Sequence, residues 1–160
     1  MGSVHLIRHG QASWGADDYD QLSSLGMQQA TALCTSWEAS GWAPTAAVAG
    51  GMKRHAQTAI ATIDACGQGD GYDVDGGWDE FDHLAIAMAH DPAAMTTDPK
   101  EFQQLLNTAL DAWIAGDHDH EEPYPAFVDR VMASFAEVVA DAGSGRTVAV
   151  FTSGGPIAMV

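Results

Sequence analysis

An arginine, a histidine and a glycine stand side by side where the first apolar run of the chain ends. The run and its exit read SVHLIRHG, so Arg8, His9 and Gly10 follow a short segment of β-favouring residues. The plain interpretation is a strand that leads into a turn through two polar residues. The alternative is a phosphate site in which the imidazole of His9 is a nucleophile. Other residues of the chain are needed to distinguish these two interpretations.

The strongly acidic charge of the chain narrows the classes of ligand. Lys and Arg number 6 against 22 Asp and Glu, which gives a formal net charge of −16. Such a surface repels nucleic acids and anionic lipids, so we expect neither a nucleic acid nor a membrane as a partner. A site for an anionic ligand in such a protein requires several Lys or Arg side chains close together. Few cations are available for this purpose: Arg8, Lys53, Arg54, Lys100, Arg130 and Arg146.

Length and composition predict a soluble protein of one domain. The chain has 160 residues, of which 46% are hydrophobic, and this is enough for a packed core. We find neither an apolar run long enough for a membrane span nor an N-terminal export signal, so we expect a cytoplasmic protein. Cys34 and Cys66 are too few for a disulfide framework and are not spaced as a metal pair. We therefore expect reduced thiols.

The first half of the chain alternates strands and helices. A strand over Val4–Ile7 is followed by a helix that Ser23 caps and that stops near Gly41. A second strand, at about residues 45–49, precedes two glycines and a helix that carries Arg54. The segment GYDVDGGWDEFDH then predicts a third strand and a loop.

The second half continues this pattern after an interruption. Small residues, methionines and two prolines follow residue 84, and we expect residues 84–122 to form a cap-like insertion. Within and after this insertion, apolar stripes predict helices over residues 102–114 and 127–139. The strand TVAVF and the turn before Pro156 complete the pattern. Because the sequence stops on apolar residues at Val160, we expect the C-terminal part of the domain to be truncated here.

The alternation of elements predicts an α/β fold. We expect a three-layer α/β/α sandwich with a mostly parallel central sheet, formed by residues 1–160 as a single domain. In such a sheet the ligand crevice lies at the carboxyl ends of the strands. Four separate segments meet at this edge, and they bring with them Arg8 and His9, Arg54, Glu80, and Thr152 and Ser153.

Three blocks of the sequence carry a resemblance to a known family. They read LIRHGQA, LSSLGMQQA and AGGMKRHAQTA, and they contain in order the patterns R-H-G, L-[ST]-x-x-G-x-x-Q-A and R-x-x-Q-T-A. The chain thereby resembles the histidine phosphatase superfamily, in its phosphoglycerate-mutase-like branch. The resemblance covers residues 1–80 and returns at the final strand, whereas residues 84–145 carry little of it.

The resemblance implies a nucleophile and a phosphate clamp. His9 matches the family's nucleophile, whose ring nitrogen attacks phosphorus and forms a transient phosphohistidine. Its other ring nitrogen needs an acceptor, for which a backbone carbonyl at Gly10 or beyond is a candidate. Arg8 and Arg54 match the two arginines that clamp the phosphate, because their planar forks suit phosphoryl oxygens.

The family's general acid has its match in the segment WDEFDH. Glu80 stands at that position and is implied to protonate the leaving oxygen and then to activate water. Asp79 and Asp82 are neighbours that compete for this assignment. The matching residues form no cage for a divalent ion, so we expect no metal and no other cofactor.

One position departs from the family pattern. The family has a second histidine after its last strand, in a pattern like V-S-H-G-G, and this chain has FTSGG in that register. Ser153 therefore stands where the histidine is expected, and we assign Ser153 and Gly154 to phosphate binding. A hydroxyl donates one hydrogen bond but carries no charge, so the electrostatic stabilisation of a protonated histidine is lost. His55 and His83 are the two histidines that could substitute in part.

Two functions follow from these residues. The first is a metal-independent phosphomonoester hydrolase that acts on a small phosphorylated substrate through a phosphohistidine. The alternative is a catalytically impaired phosphate-binding or regulatory pseudoenzyme, because Ser153 replaces the second histidine. We favour the hydrolase, since a binding protein needs neither His9 as nucleophile nor Glu80 as acid. The sequence identifies neither the substrate nor the oligomeric state.

Other polar and aromatic residues have plainer interpretations. His5 is expected to be a packed or edge residue, and Lys53 a solvated residue of a helix. The loop His118–Glu122 is interpreted as a hydrated acidic loop rather than a metal site, because no preorganised set of ligands is visible. Trp14 lies just beyond the R-H-G block and is a candidate for bordering the substrate.

Overall fold

The computed structural model describes residues 2–13, 18–67, 71–94, 96–143 and 145–160. Among these residues, no helix has both the length and the apolar character needed to cross a membrane. The described strands and helices are, in chain order, β1 Ser3–Arg8, α1 Ser24–Ser40, β2 Ala46–Ala49, α2 Lys53–Ala65, β3 Asp73–Val74, α3 His83–His90, α4 Pro99–Ala115, α5 Tyr124–Ala142, β4 Thr147–Thr152 and α6 Gly154–Met159.

The strands form one parallel sheet in the order β1, β4, β2, β3. β4 lies between β1 and β2, and its residues Val148, Ala149, Val150 and Phe151 are fully buried. Its register with β1 places Thr152 opposite Arg8. Because parallel strands run in the same direction, their carboxyl ends meet at one edge of the sheet. The α/β fold with a parallel central sheet is therefore confirmed.

Helices cover both faces of this sheet. On one face, α1 and α2 pack through a buried cluster made of Trp37, Ala49, Ala59, Ile63, Ala149 and Phe151. On β1, Val4 and Leu6 line a pocket with Phe135 and Val139 of α5. His5, which lies between them on the strand, stacks on Trp42 just after α1, with ring centroids 4.0 Å apart. Since successive side chains of a strand point to opposite faces, α5 covers the face opposite α1 and α2.

The chain divides into two compact units, Met1–Glu80 with Arg130–Val160, and Phe81–Asp129. The first unit contains the sheet, and the boundary at Arg130 falls within α5. The second unit contains α3 and α4. At the start of α4, Asp98 accepts hydrogen bonds from two N–H groups of the first turn, and Pro99 takes the first helical position.

Aromatic rings fill the core of the second unit. The ring of Trp113 lies 5.2 Å from Phe81, 5.2 Å from Tyr124 and 5.6 Å from Phe127, measured between centroids. Its indole N–H donates to the carbonyl of Glu122 at 2.9 Å. Residues 84–122 thus lie within a unit that has its own core. Their role as a cap stays a prediction.

Both ends of α1 lie where the sequence predicts them. Ser23 accepts a hydrogen bond from a first-turn N–H at 3.1 Å, and Gly41 ends the helix with a left-handed φ of 67°. Two other regions differ from expectation. The third strand is reduced to Asp73–Val74, and the insertion begins with a helix, α3, that was not predicted. The carboxylate of Asp82 caps α3 by accepting from two of its N–H groups.

The expectation of reduced thiols is wrong for this structure. Cys34 and Cys66 form a disulfide, with their Cα atoms 5.4 Å apart. Cys34 lies in α1, and Cys66 directly follows α2. The two helices pack side by side, and Thr62 of α2 donates a hydrogen bond to the Ala30 carbonyl of α1 at 2.9 Å. This packing brings the cysteines within the span of a disulfide, which no count of cysteines reveals.

We expect this disulfide to stabilise the fold. The cysteines are 32 residues apart in the sequence. Replacing both with alanine should lower the free energy of unfolding by about 3–4 kcal/mol, because a closed loop of about 30 residues restricts the unfolded chain. Urea unfolding with and without a thiol reductant measures the effect. With reductant, the wild type should unfold near the midpoint of the variant, and an unchanged wild-type midpoint would contradict the expectation.

Candidate active site

The pairing of β1 with β4 brings the R-H-G segment next to the final strand. The backbone N–H of His9 donates to the carbonyl of Thr152 at 2.8 Å, directly after the last register pair, Arg8 with Thr152. His9 is therefore placed by a main-chain hydrogen bond, and Ser153 lies beside it at the end of β4. Two segments far apart in the sequence meet here through sheet geometry alone.

Gly10 and Gly26 allow the loop after His9 to lie directly on the start of α1. A Cβ atom at Gly10 would overlap the backbone of Gly26, and a Cβ at Gly26 would overlap the backbone of Gln11. The backbone N–H of Gln11 also donates to the side chain of Gln29 at 2.9 Å. The glycines of the first two sequence blocks thus permit a close backbone approach that any side chain would prevent.

One face of α2 fixes the same loop. Thr58 accepts a hydrogen bond from the N–H of Gly10 at 3.2 Å, and Gln57 accepts one from the N–H of Leu22 at 2.7 Å. The Thr58 hydroxyl in turn donates to the carbonyl of Arg54 at 2.7 Å. The Gln and Thr of the R-x-x-Q-T-A block therefore hold the loop that follows the nucleophile candidate.

The environment of His9 favours a neutral ring with one defined tautomer. Its Nδ1 lies 2.6 Å from the Gly10 carbonyl, so Nδ1–H donates and Nε2 keeps its lone pair. Burial lowers the pKa of His9 from 6.5 to about 4. The hydrogen bond to Gly10 opposes this shift, whereas the nearby Arg54, His55 and Arg8 act in the same direction as burial. At neutral pH the ring can therefore act as a nucleophile.

Arg54 is a buried cation near His9. The residue is only 5% exposed, and its Nη1 donates to Oδ1 of Asp20 at 2.7 Å. Its guanidinium carbon lies 5.8 Å from the ring centre of Tyr19. The Nε atom has no hydrogen-bond partner among the described residues. A buried donor without a partner costs free energy, so an anion that reaches Arg54 gains this hydrogen bond, in competition with Asp20.

The loop that carries Glu80 is held between the sheet and α5. The hydroxyl of Thr152 donates to the carbonyl of Trp78 at 2.5 Å, and the indole of Trp78 is completely buried. Arg130 donates to the carbonyls of Gly77 and Asp79 at 3.0 and 2.8 Å. These bonds fix the backbone immediately before Glu80.

The structure gives different contacts to the three acidic residues of this segment. Oε2 of Glu80 accepts a hydrogen bond from the N–H of Gly155 at 3.0 Å, which ties Glu80 to the segment after β4. Asp79 accepts from the N–H of Gly51 at 2.6 Å, and Asp82 caps α3 in the second unit. Of the three, Glu80 thus contacts the segment that follows Ser153, and its part in catalysis stays a prediction.

Ser153 pairs with His55 rather than with the helix that it precedes. Its hydroxyl oxygen lies 2.6 Å from Nε2 of His55, and both residues are 0% exposed. A Cβ atom at Gly154 would lie 3.9 Å from Nε of Arg8, so this glycine also borders the site. Of the two histidines considered as substitutes, His55 makes the contact. His83 lies in the second unit, where its ring contacts that of Phe102 at 6.1 Å.

A pocket opens beside the nucleophile candidate. It has a volume of about 480 Å³ and is lined by Arg8, His9, Gly10, Gln11, Ala12, Tyr19 and Gln29. Two amides and a phenol therefore surround the positive charge of Arg8. This lining can donate and accept hydrogen bonds, which suits a ligand with hydroxyl groups next to its anionic end.

Several residues that position the site have no clear signal in the sequence. Asp20, which binds Arg54, carries no sequence signal, because the contact depends on how the loop after β1 folds. Gln57 and Thr58 were visible as parts of a sequence block, but the block alone does not tell what they bind. Lys53 is exposed as predicted and forms an ion pair with Asp18 at 2.5 Å.

Two further sequence interpretations concern a metal site and a substrate border. Across the part of the chain that the structure describes, no three His, Cys, Asp or Glu side chains are placed to hold a metal ion. The loop His118–Glu122 belongs to this described part of the chain. Trp14 lies outside the described residues.

Comparisons with known proteins place this geometry in a family. The family model described as histidine phosphatase superfamily (branch 1) matches residues 4–160. The structure is similar to that of phosphoglycerate mutase from Bacillus anthracis str. Sterne, with a TM-score of 0.68 and 18% sequence identity, and the match covers 99% of this chain and 78% of that one. No curated protein matches the chain.

A second similarity is to mycobacterial glucosyl-3-phosphoglycerate phosphatase. The native structure gives a TM-score of 0.65 at 22% identity and covers 96% of this chain and 74% of that one. The same phosphatase in complex with inorganic phosphate gives a TM-score of 0.66 at 25% identity, again over 96% of this chain and 74% of that one. At these identities the structural likeness establishes the fold.

We expect His9 to titrate near pH 4, because burial and nearby positive charge disfavour its protonated form. Nuclear magnetic resonance of the ring, assigned with a His9→Asn variant, measures this value. Since the folded pKa lies below the unfolded value of about 6.5, unfolding takes up a proton between these values. The contribution of His9 to the free energy of unfolding should therefore fall as the pH drops from 6.5 to 4. A His9 midpoint at or above pH 6.5 would contradict this environment.

Proposed function

Because the chain belongs to the histidine phosphatase superfamily, we propose that it is a metal-independent phosphomonoester hydrolase that works through a phosphohistidine on His9. The observation that carries this proposal is the state of the His9 ring. Nδ1–H is occupied by the Gly10 carbonyl, and the pKa is lowered to about 4, so Nε2 holds a lone pair at neutral pH. A purely structural role for His9 would not require a neutral Nε2 close to Arg8 and Arg54.

Arg8 and Arg54 bind the phosphate in this proposal. Arg8 lines the pocket. Arg54 is not part of this lining, but it is buried near His9 and has one donor unpaired among the described residues. The planar guanidinium groups match the oxygens of a phosphoryl group and stabilise the charge that they carry in the transition state. The phosphate displaces the Asp20 carboxylate from part of the Arg54 fork.

The first step transfers the phosphoryl group to His9. The lone pair of Nε2 forms the N–P bond while the ester P–O bond breaks, and the leaving oxygen takes a proton from the carboxyl group of Glu80. The Gly10 carbonyl keeps the proton on Nδ1 throughout. The contact between Glu80 and the N–H of Gly155 supports this role, because it holds the carboxyl group at the segment after Ser153.

The second step returns the enzyme to its starting state. The Glu80 carboxylate takes a proton from water, and the water oxygen attacks phosphorus as the N–P bond breaks. The bonding electrons return to Nε2, and inorganic phosphate leaves. Every atom and proton in the cycle comes from the ester, water, His9 and Glu80, so the cycle uses no metal and no other cofactor.

The pocket supports a small phosphorylated substrate. A volume of about 480 Å³ is at the small end for ligand sites, and its amide and phenol groups suit a hydroxylated leaving group. The proposed location is the cytoplasm. The Cys34–Cys66 disulfide of the structure counts against this location, because cytosolic thiol buffers keep most protein thiols reduced. Trapping of free thiols in intact cells tests the location, and an oxidised pair there would contradict it.

A second candidate function rests on Ser153. Since a hydroxyl stands where the family pattern has a second histidine, the chain could bind phosphate without turnover, as a regulatory pseudoenzyme. Such a protein would bind inorganic phosphate but form no phosphohistidine and release no phosphate from esters. Retention of both His9 and Glu80 favours the hydrolase.

We expect hydrolysis of p-nitrophenyl phosphate in the presence of a chelator. His9→Ala should abolish turnover and the acid-labile phosphoenzyme, because it removes the atom that bonds to phosphorus. Glu80→Gln should lower kcat by about 100-fold or more, because it removes the base that activates water in the second step, whereas p-nitrophenolate leaves without needing a proton. His118→Ala, a change at an exposed histidine of the second unit, is the matched control and should leave kcat unchanged. Phosphate binding without any turnover of several phosphomonoesters would favour the pseudoenzyme.

We expect Arg54→Lys to weaken the phosphate clamp although it keeps the charge. A lysine offers a point charge in place of a planar fork, so kcat/KM should fall by about 10- to 100-fold. Arg146→Lys is the matched control, because Arg146 pairs with Asp141 before β4 at the other end of the strand. Equal kcat/KM values for the two variants would contradict a role for Arg54 in phosphate binding.

A further inference from the structure

The contact between His55 and Ser153 is not used by the catalytic cycle proposed above. Nε2 of His55 and Oγ of Ser153 are 2.6 Å apart, and both residues are completely buried. His55 lies in the first turn of α2, next to Arg54, and Ser153 lies at the end of β4. Buried polar groups are usually hydrogen-bonded, so the contact by itself is ordinary. Its position beside His9, the nucleophile candidate, suggests a role in the site.

Sheet geometry places this pair next to His9. Arg8 and Thr152 are the last register partners of β1 and β4, so the residues that directly follow the two strands, His9 and Ser153, lie side by side at the edge of the sheet. The ring centroids of His9 and His55 are 5.8 Å apart. The His55–Ser153 pair therefore lies beside the ring of His9.

The two ring nitrogens of His55 have different contacts. Its Nδ1 lies 3.7 Å from Oδ1 of Asp79, beyond hydrogen-bond distance, and it has no partner among the described residues. Ser153 Oγ can accept from Nε2–H or donate to Nε2, and the arrangement proposed below has the hydrogen on Nε2. In this tautomer Nε2–H donates to Ser153 Oγ, and the hydroxyl hydrogen of Ser153 is directed away from the ring. The hydroxyl is then a donor for another acceptor.

Gly50 makes room for this arrangement. A Cβ atom at Gly50 would overlap Nδ1 of His55 and would lie 2.8 Å from Oδ1 of Asp79. Gly50, directly after β2, therefore leaves free the space that the imidazole of His55 occupies. The pair depends on three positions, two at strand ends and one in the first turn of α2, that meet at the same edge of the sheet.

We propose that His55 is a positioning residue for the phosphoryl transfer: it orients the Ser153 hydroxyl as a hydrogen-bond donor to the phosphoryl group on His9. The pair thereby replaces the second histidine of the family pattern with a hydroxyl that a buried imidazole holds in place. This inference rests on the proposed function. A preorganised donor of this kind acts mainly in the transition state, where charge on the phosphoryl oxygens is redistributed.

Removal of either partner should lower kcat more than it changes KM. On p-nitrophenyl phosphate, Ser153→Ala and His55→Leu should each lower kcat on the order of 100-fold, the usual loss for one oriented donor. KM should stay within about threefold of the wild type, because the donor contributes little to ground-state binding. The double variant should lose no more than either single variant, since His55 acts through Ser153.

Two further variants separate positioning from folding. His55→Gln keeps an N–H that reaches Ser153 Oγ and should restore kcat to within about tenfold of the wild type. Thr62→Val removes a buried hydroxyl that bonds across α1 and α2 and should leave kcat unchanged. Ser153→Ala removes a single oxygen atom, so it decides the question even if His55→Leu does not fold.

Ligand binding distinguishes failure of this inference from failure of the proposed function. Vanadate adopts the five-coordinate geometry of the transferring phosphoryl group, whereas inorganic phosphate resembles the product. Both single variants should weaken vanadate binding much more than phosphate binding, even in a protein that turns over no ester. If the wild type hydrolyses the ester but Ser153→Ala keeps wild-type kcat, or the losses of the single variants multiply in the double variant, the inference is overturned and the proposed function stands. If no turnover occurs but vanadate binding falls without additivity, the inference stands and the hydrolase is overturned.

Discussion

The candidate site depends first on the parallel pairing of β1 with β4. The two strands lie about 140 residues apart in the sequence, and their register places Arg8 opposite Thr152. One main-chain hydrogen bond, from the N–H of His9 to the carbonyl of Thr152, continues the ladder past the last register pair. A shift of one residue would turn His9 to the opposite face and away from Ser153. Burial of residues 148–152 of β4 opposes such a shift, because it would move a whole row of packed side chains.

The second requirement is the attachment of a loop to one helix. Arg54, Gln57 and Thr58 lie at three- and four-residue spacing, so they share a face of α2. Through this face the helix binds the loop after β1 at Asp20, Leu22 and Gly10. Three side-chain contacts with this face of α2 therefore hold the loop, in addition to the close approach of Gly10 to Gly26. The same helix thus positions both Arg54, the proposed phosphate-binding residue, and the Gly10 backbone, whose carbonyl contacts the ring of His9.

The sequence predicts the parts of the site that follow from strand ends and local motifs. Arg8, His9 and Glu80 follow apolar or β-favouring segments, and the rule for parallel sheets brings them to one edge. The caps of α1 are predictable for a similar reason, because a serine before a helix and a glycine after it act within one turn. The short third strand and the helix His83–His90 depend on neighbours in space, and the sequence carries only a weak signal for them.

Contacts between distant positions were beyond the sequence analysis. The Cys34–Cys66 disulfide requires the packing of α1 on α2, and the Asp20–Arg54 ion pair requires the fold of a loop. His55 was considered as a substitute for the second histidine, but the spacing of residues alone did not select it over His83. Selection required the position of α2 relative to β4, which only three-dimensional packing determines.

The bare strand end at Gly50 has a consequence for how this site can change during evolution. A side chain at position 50 is incompatible with an imidazole at position 55, and the hydroxyl at position 153 is fully buried against that imidazole. The imidazole at position 55 therefore requires a glycine at position 50, so the effects of mutations at these two positions are epistatic. Gly50, His55 and Ser153 are expected to vary as a set among homologous sequences, so that a lineage with a larger residue at position 50 also carries a smaller one at position 55.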